Sequence, residues 1–106
     1  MAVALLASGA CWGGDVKEQL SSETQAAEAA LRQVCAGVAS ALEPVDRKHF
    51  EEAQQKWLAF RDAEASFQAG LTSMGGSAYS TDYQAERLAM TRERIKLLKK
   101  VLESVK

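Results

Sequence analysis

Between Phe50 and Leu71 apolar residues recur every three or four positions: Phe50, Ala53, Trp57, Phe60, Phe67 and Leu71, with Glu64 the one polar residue in the series. A rhythm of that period, with no proline to interrupt it, belongs to one face of a long α-helix turned toward a core. It is incompatible with a strand, whose side chains alternate at every second residue. Trp57 and Arg61 stand four apart and therefore lie one above the other on the same side of that helix. A guanidinium over an indole is worth about 0.5–1 kcal/mol when exposed and more when desolvated.

The rest of the chain repeats the helical theme. Leu31, Val34, Val38 and Leu42 form a second stripe, and Leu88, Thr91, Ile95, Leu98, Leu102 and Val105 a third. Pro44 is the single proline. It ends the first long helix near Leu42 and suits the opening turn of the next, which runs from about Val45 to Leu71. Ser21 or Ser22 can cap the first long helix, and Asp15 a short helical start before it. Thr72–Ser80 is the one long loop signal, with Gly75-Gly76 permitting a sharp reversal. The third helix is expected from Thr81 or Asp82 to about Val105. No segment alternates β-branched with polar residues, and strong helix formers dominate. The fold expected is all-α, an antiparallel bundle of three long helices with room for a short N-terminal helix. At 106 residues the chain is one domain, able to bury a core without staples. Residues 15–106 form it, and residues 1–14 are the remnant of a signal peptide or a flexible N-terminus.

Charge and motif content exclude most chemistry. The net charge is −1, so no global field favours nucleic acid or a membrane. Residues 1–64 hold six Lys/Arg against ten Asp/Glu, and residues 65–106 hold seven against four, as expected of acidic and basic helices packed together. The basic helix carries no aromatic residue among its charges beyond Arg87, so a nucleic-acid face is not expected. His49 is the only histidine and no cysteine pair has metal spacing, so neither a metal site nor a cofactor is expected. Glu51 and Glu52, or Asp62 and Glu64, diverge on a helix and do not converge on one substrate atom. Gly75-Gly76 lacks the lysine of a phosphate-binding loop. The chain reads as a non-enzyme.

Residues 1–10 are apolar, too short to span a bilayer, and end in the small residues Ser8 and Ala10 before Cys11, as secretory signals do. These residues fit either an ordinary flexible N-terminus or the end of an export signal, which would place the chain in the periplasm or outside the cell, with membrane attachment only if Cys11 carries a lipid. Cys11 and Cys35 could pair in an oxidising compartment. Alternatively, Cys35 is a buried free thiol beside the first stripe.

The central block resembles the LprI-type lysozyme inhibitor family of small secreted or lipid-anchored bacterial helical domains. The resemblance rests on Phe50, Ala53, Gln54, Trp57, Phe60, Arg61, Asp62, Ala63 and Glu64 in order, then Gly75, Gly76 and Ser77, then Met90, Thr91 and Arg94. Ala27, Glu28 and Leu31 match an upstream segment more weakly. The match covers about residues 25–100. Two of the family's cysteines are replaced, by Ala65 and Glu86, which implies that a disulfide has been lost as a unit. The resemblance implies a protein partner, a lysozyme, bound without catalysis. The protruding loop, with Ser73, Gly75, Gly76, Ser77 and Tyr79, is the binding surface expected on that reading. Gln54, Trp57, Arg61, Asp62, Glu64, Thr91 and Arg94 are expected to serve the scaffold, with Arg94 reaching Asp62 or Glu64 and Trp57 largely buried against aliphatic residues of the third helix. The other reading is an interaction domain of the bacterial cell envelope that inhibits no lysozyme.

Overall fold

The computed structural model describes residues 13–74 and 76–106. The expectations for residues 1–12, including Cys11 and its pairing or lipidation, lie outside the described residues, as does that for Gly75. The described residues form three helices: α1 (Gly13–Ala41), α2 (Pro44–Ser73) and α3 (Tyr79–Val105). Among the described residues there is no strand.

α1 is continuous, so the expected break near Ser21-Ser22 is absent. Serine costs a helix interior only a few tenths of a kcal/mol relative to alanine, far less than nucleating a second helix. Pro44 occupies the first turn of α2 after Glu43 in an extended conformation, and Asp46 places negative charge at the positive end of the helix dipole. Arg47 closes the junction from the other side. Its Nε donates to the Ala39 carbonyl at 2.7 Å and its Nη2 to the Leu42 carbonyl at 2.9 Å, satisfying acceptors that the end of α1 leaves open. α2 ends on Met74 in the left-handed region (φ 52°), whose N–H reaches the Gly70 carbonyl at 3.1 Å. α3 begins at Tyr79, earlier than expected, so the connection is only Met74–Ala78, and Ser73 and Tyr79 belong to the helices.

The chain runs up, down and up. Arg61 bonds to Thr91 and Thr72 to Asp82, which makes α2 and α3 antiparallel. α3 packs along both other helices, whereas α1 and α2 touch sparsely. The core is Leu31, Val34 and Val38 of α1 against Ile95 and Leu98 of α3, with Phe50, Trp57 and Leu58 of α2 packed partly against it. The α1 and α3 stripes therefore face inward as their periodicity implies.

α2 departs from expectation. Its buried residues are Gln54, Arg61, Ala65 and Ala69, while Ala53, Phe60, Phe67 and Leu71 face outward. The helix is turned by one residue, about 100°, from the orientation its apolar stripe predicts. Two features of the inner face explain the rotation. Arg61 can be buried only where carboxylates meet it, and the small Ala65 and Ala69 allow an approach that phenyl rings would prevent.

Candidate functional site

The residues of the central block come together where the three helices meet. Arg61 is 3% exposed. Its Nη1 donates to Glu28 Oε2 on α1 at 2.8 Å and to Thr91 Oγ1 on α3 at 3.2 Å, and its Nε donates to Asp62 Oδ1 at 2.9 Å. Arg87 of α3 closes the arrangement, with Nε 2.9 Å from Asp62 Oδ1 and Nη2 3.4 Å from Glu28 Oε2. Two guanidiniums and two carboxylates thus alternate around one junction, and each carboxylate is shared. Burial pushes the Asp62 carboxyl upward, but hydrogen bonds and charge from Arg61 and Arg87 overcome it and hold the carboxyl below its usual range. Thr91 is buried, and its hydroxyl is met by Arg61.

Trp57 sits beside this junction, half-buried rather than enclosed. Arg61 Cζ lies 5.5 Å from its ring centroid and Arg94 Cζ 5.3 Å. The expected aliphatic packing is present in part, since Trp57 lies against the core that includes Ile95 and Leu98, and two cations share the indole with it. Arg94 does not reach Asp62 or Glu64: its Nε donates to Gln54 Oε1 at 3.0 Å. Asp62 is already taken by Arg61 and Arg87, and Glu64 accepts from Gln68 Nε2 at 3.0 Å at the edge of α2. Desolvation lowers the Arg94 pKa, partly offset by the nearby Cys35 thiol. The same burial raises the Cys35 pKa, which Arg94 opposes. Cys35 is a free thiol, partly buried against the core.

Outside the junction Trp57, Ala89, Met90, Glu93, Arg94 and Leu97 line a shallow cleft of about 460 Å³ between α2 and α3. Among the described residues no group of His, Cys, Asp and Glu is placed to hold a metal, and no helix is long and apolar enough to cross a membrane.

The loop residues are only partly available to a partner. The Ser73 hydroxyl is buried, while Met74, Gly76, Ser77 and Ala78 are exposed. Tyr79 is exposed, but its hydroxyl shares a 2.7 Å hydrogen bond with Ser66 and its ring stacks on Tyr83 at 6.2 Å. A Cβ on Gly76 would come within 3.0 Å of the Ser73 carbonyl, so this position sets the shape of the turn. Arg87 is a junction member that sequence reasoning missed, and Glu28, read only as part of a weak upstream match, is another. The signal for Arg87 was its place four residues before Thr91, on the buried side of α3.

Comparison with curated proteins and with solved structures gave no match. The family model of the lysozyme inhibitor LprI matches residues 11–98, a span that contains the whole junction, and the chain belongs to that family.

Proposed function

We propose that this chain is a non-enzymatic, extracytoplasmic lysozyme inhibitor that meets its target with the exposed turn between α2 and α3. Membership of the LprI family is the observation that carries the reading. The geometry supports the choice of surface. Arg61, Asp62, Thr91 and Gln54 are spent on one another and on holding the helices, so they have little left to offer a partner. The turn is exposed and carries Gly76, Ser77 and the ring of Tyr79 side by side with Met74. Such surfaces, held by a rigid scaffold, are where recognition concentrates. Tyr79 is tethered through Ser66, so its ring is presented in a fixed position at little entropic cost.

The test is a cell-wall lysis assay with the purified chain against lysozymes of several classes. Inhibition is expected for at least one class, weakened by Tyr79→Ala and by Gly76→Val with the melting temperature of the bundle retained. A folded parent that inhibits none of them sinks the proposal. The envelope interaction domain would then stand, a reading favoured by the apolar residues that α2 turns outward.

A further inference from the structure

Phe60, Phe67 and Leu71 are 55%, 58% and 57% exposed on the outward face of α2, and Met74, 87% exposed, caps the end of that helix. Their spacing of seven, four and three residues aligns them in one seam, the pattern of a helix that packs against another helix. Together they expose roughly 500 Å² of apolar side chain, at the upper end of what a monomer ordinarily shows in one patch. We propose that this seam is the interface of a homodimer, formed by antiparallel pairing of α2 with α2 of a second copy about a two-fold axis at Phe67.

Three features select a second copy as the occupant. The first is charge. Between Ala59 and Met74 the seam and its exposed flanks (Ala59, Ala63, Ser66 and Gly70) carry one ionised side chain, Glu64, which already accepts a hydrogen bond from Gln68 of the same helix. A surface with a single charge offers little steering to a strongly charged target and pairs with itself without penalty where that charge is kept from its own copy. The second is shape. Ala63, Ser66 and Gly70 surround Phe67 with small side chains, and a Cβ at Gly70 would meet nothing within 4 Å. They leave a hole for the Phe67 ring of the other copy, as in knobs-into-holes packing. The third is area. Two copies of the seam bury about 1,000 Å² from the four large side chains alone, and the flanking small residues bring the total to the lower end of specific interfaces.

Direction follows from the same residues. Parallel pairing would set Glu64 against Glu64 and Lys56 against Lys56. Antiparallel pairing about Phe67 sets Phe60 against Met74 and Ala63 against Leu71, with Glu64 opposite Gly70 and Lys56 beyond the end of the facing helix. An isologous contact of this kind closes at two copies.

Sedimentation equilibrium of the full chain from low micromolar to near-millimolar concentration tests the proposal. The parent is expected to pass from one to two chain masses, and Phe67→Glu to weaken that association by more than about thirtyfold, the scale of a central interface residue. Its melting at low concentration should match the parent's, since the residue is exposed in the monomer. Mixing Phe67→Glu with Phe67→Lys should restore a dimer, because the axis places position 67 against itself. A parent that stays monomeric throughout overturns the proposal, as do folded Glu and Lys variants that fail to recombine. A monomeric parent whose lysozyme binding is lost in Phe67→Glu would assign the seam to the lysozyme instead.

Discussion

Arg61 on α2 and Glu28 on α1 meet at 2.8 Å with the arginine almost wholly excluded from solvent. α1 and α2 otherwise touch little, so this pair is a principal link between them. Removing the guanidinium by Arg61→Ala leaves Thr91 Oγ1 buried without its donor and leaves Glu28 and Asp62 with Arg87 alone. The expected loss is about 3–5 kcal/mol, the cost of breaking a buried pair on one side. Urea unfolding measures it, and a loss below about 1 kcal/mol would show that Arg87 suffices for both carboxylates.

Arg94 should behave differently although it too stacks on Trp57. It donates to an amide, so Arg94→Ala strands no carboxylate. The stabilisation lost is one hydrogen bond to the buried Gln54 and one cation–π contact, about 1–2 kcal/mol. The ordering matters more than either figure: the Arg61→Ala protein should be clearly the less stable of the two. Trp57→Ala, which removes a half-buried ring that contacts both cations, should cost about 2–4 kcal/mol, and Trp57→Phe distinctly less.

Asp62 connects the junction to pH. Its carboxyl is held below the usual range in the folded chain, so the unfolded chain binds the proton more readily. The stabilisation it supplies is complete above the unfolded value near 4 and is lost as pH falls through the lower folded value. Asp62→Asn should therefore be less stable than the parent at neutral pH, with the gap closing in acid. Melting temperatures of the two proteins between roughly pH 2 and 7 report this. A gap that is the same at both ends would show that the carboxylate is not what holds Arg61 and Arg87.

The number of helices, the break at Pro44 and the inward faces of α1 and α3 are all legible in the sequence, because there the large aliphatic residues are also the buried ones. α2 is not legible in this way. Its strongest apolar period lies on the outside, and the inner face is built from Gln54, Arg61, Ala65 and Ala69, residues that periodicity assigns to a surface. Hydrophobic patterning assumes that burial follows apolarity. It fails where a paired charge and small side chains take the inner positions. The partner of Arg94 was misread for the same reason, since placing Asp62 beside Arg61 and Arg87 requires the rotated helix. The stacking of Arg61 on Trp57 was readable from their four-residue spacing; the joining of Arg61, Asp62 and Thr91 with Glu28 and Arg87, and Arg94 as a second cation on Trp57, were visible only once the helices were placed.

The cross-link that the family resemblance implies at positions 65 and 86 can be built into this chain. The Arg61–Thr91 and Asp62–Arg87 contacts set the register of α2 against α3, and that register brings Ala65 level with Glu86. Ala65 is fully buried and Glu86 partly so, consistent with a site between the helices rather than on their outer faces. Ala65→Cys combined with Glu86→Cys should therefore form a cross-link on air oxidation. It would close a loop that spans the α2–α3 turn and stabilise the chain by about 2–4 kcal/mol, chiefly by restricting the unfolded state. The gain should vanish under reducing conditions, where the double variant should be no more stable than the parent. Cys11 and Cys35 are replaced by Ser in both proteins, so that only the new pair can oxidise. Two free thiols after oxidation, counted by mass after alkylation, would show that the helices are not in this register.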